Sequence, residues 1–427
     1  MVASRFRRIG SVVALTTLFG ALGLQAPPAA ADPVANQVVA WNKIAYREMF
    51  VAKSPSLPPL VAVLNYAIVH AAVYDAVNAI EGGYEPYLGA PNVADGGDSV
   101  NAATVEAAYR TLVAVVQSPS AELATDYTDA IADIRADEGN EATDGGMAVG
   151  LAAASAMITA RSGDNRTNDP VFTTGTGPGE WQALGGNNFR WFGNLNPFLI
   201  QDARDFATNG PRALGSAAYA AEFNQVKSLG SKTSSTRRFD QTQAALFWAD
   251  HPIAMWTRIF QDLAEGQDLT TTESARFFAM IYVTGSDALI ACFLDKELHK
   301  FWRPQTAIRN AGTDGNPDTA ADPAWDSLLG TPPYPDHPSA HNCVSASIVA
   351  TLQDFFGTDV MTYSATSTPT LTIPAITRAF STFSQAIKEI RKARMWGGLH
   401  FMTADAQGAN LGREVARYRE EHFFQPA

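Results

Sequence analysis

Apolar residues recur at three- and four-residue spacing through most of this 427-residue chain, and that period commits it to helices. Ala-rich stretches of this kind cover residues 34–50, 59–80, 100–116, 121–136 and 146–161. The pattern resumes at 217–229, 242–248, 253–264 and 271–300, then at 339–355, 376–390 and 404–421. Strand signals are few, the best being 370–373. The expected fold class is all-α, built as helical bundles with long irregular loops. One loop, 162–207, is rich in Gly, Asn, Pro and Trp, and another, 312–338, in Pro, Gly and Asp. Loops of that length usually carry function or cover a site. The expected organisation is an N-terminal helical region over 32–210 and a C-terminal bundle over 211–427 that carries the chemistry. Hydrophobic residues make up 46% of the chain, which is enough for a sizeable core and excludes a disordered protein.

Arg5, Arg7 and Arg8 precede an apolar run at 12–24, and Ala29-Ala30-Ala31 precedes Asp32. This is the layout of a secretory signal peptide, with cleavage expected after Ala31 and a secreted product. No later segment is an uninterrupted apolar stretch of about twenty residues. Residues 60–80 come closest, but Asn65, His70 and Asp75 interrupt them, as suits a buried helix, so no membrane span is expected once the signal is cleaved. With 31 Lys+Arg against 43 Asp+Glu the chain carries −12, which excludes a general attraction for nucleic acid or anionic lipid. Any anion site must be local. The two cysteines, Cys292 and Cys343, are read as a disulfide or as two buried thiols. Asp126, Asp129 and Asp133 follow a helical spacing and read as a solvated face.

Three clusters in the C-terminal half concentrate cations and histidines. The first runs from Lys296 to Arg303-Pro304; seven residues apart, the two cations would leave one face of a helix before Pro304 interrupts it. The second is Tyr334-Pro-Asp-His337-Pro338-Ser339-Ala340-His341. It reads as a helix start with Ser339 at the N-cap, free N–H groups suited to an anion, and His341 in the first turn. The third is Arg394-Met-Trp-Gly-Gly-Leu-His400, followed by Asp405. Each cluster alone is weak, since cationic stripes, capped helices and structural histidines are common. Together they supply two guanidinium groups, an ammonium, a helix N-terminus and two imidazoles, the parts of a pocket for a tetrahedral oxyanion. One His can attack or ligate the central atom while the other moves a proton.

These residues resemble the signature of the vanadium-dependent haloperoxidases and their relatives, the type 2 phosphatidic acid phosphatases and bacterial acid phosphatases. That signature reads K-x6-R-P, then P-S-G-H, then S-R-x5-H-x3-D. Lys296 and Arg303-Pro304, Pro338-Ser339-Ala340-His341, and Arg394 with His400 match it in order over 296–405, with 34 residues between Arg303 and Pro338 and 52 between His341 and Arg394. Three positions depart from it. Ala340 replaces the Gly, Ala393 replaces the Ser before Arg394, and Asp405 stands five residues after His400 where the pattern has four. Asp405 is therefore an uncertain partner for His400, and Asp250 is another carboxylate offered to an arginine.

The resemblance implies vanadate, or phosphate in a phosphatase, held by Lys296, Arg303, Arg394, Ser339 and the Ala340 N–H. In a haloperoxidase His400 would ligate vanadium and His341 would assist proton transfer. In a phosphatase His400 would attack phosphorus and His341 would protonate the leaving group. The Phe301-Trp302-Arg303-Pro304 stretch and the long helical region ahead of the first motif point to the haloperoxidase branch, oxidising a halide with hydrogen peroxide for transfer to a small organic acceptor. Tyr334 and Phe293 stand where halide choice is made in that family, and bromide or iodide is expected before chloride. A secreted acid phosphatase with a phosphohistidine intermediate and a non-catalytic oxyanion-binding protein are the alternatives.

Overall fold

Thirteen α-helices and one two-stranded sheet make up the regular structure of the residues described by the computed structural model, 36–427 apart from 90, 165, 167–169 and 371–372. The expected signal peptide lies outside the described residues. In the first half the helices are α1 (Gln37–Tyr46), α2 (Pro59–Glu81), α3 (Val100–Val115), α4 (Ala121–Glu138) and α5 (Asn140–Ala160). In the second they are α6 (Ala217–Leu229), α7 (Phe239–Phe247), α8 (Pro252–Gly266), α9 (Thr271–His299), α10 (Pro304–Arg309), α11 (Ala340–Phe356), α12 (Phe383–Trp396) and α13 (Met402–His422). The all-α reading is correct.

Two long apolar helices form the centre. α2 starts with Pro59 at its first position and stops at Gly82, whose positive φ of 69° ends the helix. α9 opens with a Thr270/Glu273 capping box and ends where Lys300 turns left-handed. Both are long and apolar enough to cross a membrane, yet 94% of each apolar window is buried inside the protein. Asn65, His70 and Asp75 of α2 are buried too, and His70 finds its partner in Asn42 Nδ2, 2.8 Å from Nε2. Asn42 is in turn bonded to Tyr282 of α9 and Gln261 of α8. Residues 36–427 thus pack as one compact unit, with helices from both halves in a common core.

The 376–390 stretch departs from the expected helix. Residues Thr377–Thr382 form β2, antiparallel to β1 (Val360–Thr366), with Tyr363 opposite Phe380, and the helix α12 begins only at Phe383. In Thr-Arg-Ala-Phe-Ser-Thr only Phe380 is buried, so a half-buried strand satisfies the segment. Thr370 and Ile373, expected in a strand, lie between β1 and β2, where the Thr370 N–H donates to the Ile373 carbonyl.

The long 162–207 loop has little regular structure but is firmly tied. The buried Asp287 carboxylate of α9 accepts the N–H groups of Phe198, Leu199 and Ile200 at 2.6, 2.7 and 3.0 Å. Farther back, Trp181 N donates to Lys300 O and Trp302 N to Gly179 O, so the loop crosses the C-terminal end of α9.

Candidate oxyanion site

The three cations come from three separate pieces of backbone. Lys296 lies in the last turn of α9, Arg303 is the N-cap of α10, and Arg394 is in the last turn of α12. Lys296 and Arg303 do not share a helix face as their spacing suggested, because α9 stops between them at Lys300. The loop ahead of α11 brings them together instead. Lys296 Nζ donates to the carbonyls of Pro335 and Asp336 at 2.9 and 3.2 Å and to that of Pro338. Arg303 Nε donates to Tyr334 O at 2.9 Å, and its Nη1 to Leu399 O at 3.0 Å, beside His400. Arg394 Nη1 is held by Trp248 O at 3.0 Å. Lys296, Arg303 and Arg394 are all buried.

Burial shows in their acidity, although the buried Asp336 carboxylate lies 3.9 Å from Arg303 Nη1. Desolvation pushes Lys296 down to about 8 and Arg394 down to about 10, and lowers Arg303. Two buried donors of the cluster, Arg303 Nη2 and Arg394 Nε, have no hydrogen-bond partner. Since buried donors rarely stay unpaired, the cluster fits an oxyanion in both charge and hydrogen bonding.

Both histidines sit within this field. Burial, with Arg394 and Arg303 close by, holds His341 well below its usual value; burial and the Arg303 and Lys296 charges do the same to His400. Both rings are therefore neutral at pH 7. His400 Nε2 is 3.1 Å from Arg303 Nη1, and its Nδ1 is 2.9 Å from Asp336 Oδ1. A proton on Nδ1 facing that carboxylate leaves Nε2 unprotonated, with its lone pair towards Arg303 Nη1. His341 Nε2 is buried with no partner.

Asp336 was not singled out in the sequence, although it stands inside the second cluster. It does what Asp405 was a candidate to do. Asp405 Oδ1 instead accepts from Asn342 Nδ2 at 2.7 Å, and the same amide donates to Ser339 Oγ at 3.1 Å. Asp405 thus braces the start of α11, and the one-residue shift from the family spacing coincides with a change of partner. Asp250 pairs with Arg258 at 3.1 Å, an arginine outside the cluster. Ser339 is the N-cap of α11 as expected, with Ala340 and His341 opening the first turn.

Tyr334 and Phe293 line a small cavity of about 50 Å³ together with Phe189, Leu289, Ala340 and His341. The Tyr334 ring lies 5.2 Å from Lys296 Nζ and 5.1 Å from the Arg303 guanidinium carbon. Cys292 and Cys343 are buried free thiols, so the second of the two readings holds.

The family described as the VCPO second helical-bundle domain matches residues 276–426, the segment that carries all three clusters. That C-terminal segment is similar to the vanadium haloperoxidases. The vanadium chloroperoxidase of Curvularia inaequalis is 24% identical over 206 residues, covering 40% of this chain. The match spans about a third of that curated relative's length, 33%. Among solved structures, a bacterial vanadium-dependent iodoperoxidase superposes with a TM-score of 0.74 at 22% identity, covering 92% of this chain and 96% of its own. A bacterial vanadium-dependent chloroperoxidase in its holo form gives 0.68 at 14% identity, covering 89% and 95%. These superpositions show a shared fold that also covers the helices ahead of the three clusters.

Proposed function

We propose that this protein is a vanadate-dependent haloperoxidase that oxidises bromide or iodide with hydrogen peroxide. The observation that carries the reading is the space beside His341. A cavity of about 50 Å³ has room for one or two molecules of water size, each taking about 30 Å³ in the liquid. Peroxide and a halide ion are of that size. The walls are mostly apolar, from Leu60, Ile253, Leu289, Phe293 and Val344. Such walls favour anions that give up water cheaply, which supports bromide and iodide over chloride.

Lys296, Arg303 and Arg394 would hold vanadate by charge, with the first turn of α11 adding N–H groups. His400 Nε2, left unprotonated by the Asp336 contact at Nδ1, would ligate the metal in place of its contact with Arg303. Vanadate supplies a Lewis-acid centre that activates peroxide towards halide. His341 Nε2, neutral and open to the cavity, takes a proton from incoming peroxide and returns it to the departing product. The three cations stabilise negative charge that develops on oxygen, and their burial among apolar walls strengthens them. The N-terminal leader pattern makes the product a secreted enzyme, with a small organic molecule as halogen acceptor.

The test is a paired assay on protein stripped of oxyanions, before and after orthovanadate is added. One arm supplies peroxide, bromide or iodide and a halogen acceptor; the other supplies an aryl phosphate. Vanadate-dependent halogenation lost in His400→Ala is the expected result, with His341→Ala lowering turnover more than vanadate retention. Hydrolysis by the stripped protein, inhibited by vanadate and without halogenation, would make it a phosphatase. Silence in both arms would leave an oxyanion-binding protein.

A further inference from the structure

On the far side of the loop that holds Lys296 lies a second cluster, Asp295, His299 and His337. One potential ligand atom from each lies within 4.8 Å of the others. Asp295 and His299 are four residues apart on α9, so they share a face of its last turns. His337 comes from the loop before α11, beside Asp336. Asp295 and His337 are 1% exposed, while the His299 side chain is 24% exposed.

Asp295 Oδ1 and His299 Nε2 lie 3.3 Å from each other and make no other contact, and His337 Nδ1 is buried with no hydrogen-bond partner. Their other atoms are engaged through Thr208. Its hydroxyl lies 2.6 Å from Asp295 Oδ2 and 2.8 Å from His337 Nε2. A carboxylate only accepts, so the single hydroxyl proton goes to Asp295. The hydroxyl oxygen then receives its second bond from His337, which places the imidazole proton on Nε2 and leaves Nδ1 with a bare lone pair. A neutral imidazole with its other nitrogen tied to a fixed partner is the state in which histidine binds metals. The Asp295 carboxylate is positioned by the same hydroxyl and by Thr208 N at 3.1 Å.

We propose that Asp295, His299 and His337 form a site for a divalent transition metal, with Zn2+ the ion that best suits two nitrogens and one carboxylate oxygen. Nothing in the oxyanion chemistry uses these three side chains. A cavity of about 300 Å³, lined by Thr174, Glu180, Trp181, His299 and Lys300, opens on the exposed edge of His299 and gives the ion a way in. Bound there, the metal ties the end of α9 to the loop whose carbonyls hold Lys296. Its role is that of a brace placed next to the oxyanion cradle, with no contact to the reacting atoms.

The full chain, treated with chelator and free of vanadate, is titrated with Zn2+ by calorimetry and with Co2+ by visible absorption. One equivalent of Zn2+ should bind with micromolar or tighter affinity, and Co2+ should give the intense bands of a four-coordinate nitrogen and oxygen site. His299→Ala and His337→Ala should each weaken binding at least tenfold while circular dichroism stays unchanged. Should His337→Ala fail to fold, His299→Gln, at the solvent edge, decides alone. Absence of saturable binding, or binding kept within twofold by the folded variants, would overturn the proposal.

Discussion

Gly412→Ala adds one methyl group where α13 meets α11, and the structure sets the size of its effect. A Cβ at Gly412 would stand 2.1 Å from the Cys343 carbonyl oxygen and 2.9 Å from Ser347 N. Comfortable carbon contacts begin near ~3.5 Å, so α13 has to withdraw by roughly 1 Å. Both obstacles are main-chain atoms of a buried helix, which cannot swing aside as a side chain does. Overpacking costs about 1–3 kcal/mol, and the upper end applies here. Alanine's better helix propensity returns about 1 kcal/mol, leaving a net loss of about 2 kcal/mol. At an unfolding entropy of about 2.1 cal/mol/K per residue, a chain of this size shifts by about 1 °C per kcal/mol, and the melting temperature should fall by about 2 °C. Gly266→Ala, at the end of α8 with nothing within 4 Å of the added carbon, is the control and should be neutral or slightly stabilising. The assay is thermal unfolding of the two variants beside the parent protein. A Gly412→Ala melting temperature equal to or above the parent's would refute the close approach of α11 and α13. One turn earlier, a Cβ at Gly408 would meet Ser339 O at 2.7 Å. Gly408→Ala should therefore weaken vanadate retention, measured by equilibrium dialysis, more than Gly412→Ala does.

Burial pushes the Asp336 carboxyl up to about 7 against the pull of Arg303 and Lys296. Its folded value lies above the unfolded one, so stability from its bound proton is present at low pH and fades between about 4 and 7, at about 1.4 kcal/mol per unit. In urea unfolding of the anion-free protein, Asp336→Asn should gain on the parent between about pH 4 and 7; a constant difference would contradict this. Asp287→Ala leaves three loop N–H groups without their acceptor. At about 1 kcal/mol or more for each buried unpaired donor, it should cost at least about 3 kcal/mol and speed limited proteolysis within 162–202. Unchanged cleavage would mean that the loop is held by other contacts.

The linear order of residues was sufficient for the helical class, because apolar periodicity is a local property that burial preserves. It was also sufficient for the list of cations and histidines, because Lys296, Arg303, Ser339, His341, Arg394 and His400 stand in three compact clusters whose residue types announce an anion. Helix limits followed where a local signal was written in, as at Pro59, the first position of α2. They failed at 377–382, where the segment is too short for period to separate strand from helix and pairing with β1 decides. Partnership was not legible. Lys296 and Arg303 meet through the carbonyls of residues 334–338, a contact between distant segments that spacing along α9 misrepresents. The carboxylate facing His400 is Asp336, 64 residues before it, and not Asp405 close behind it. Thr208, which fixes the proton on His337, lies 129 residues away in a loop without periodicity. Residue chemistry is carried by the sequence, but proton positions, acidity and the choice between competing partners depend on which groups are desolvated together, and only the packed chain decides that.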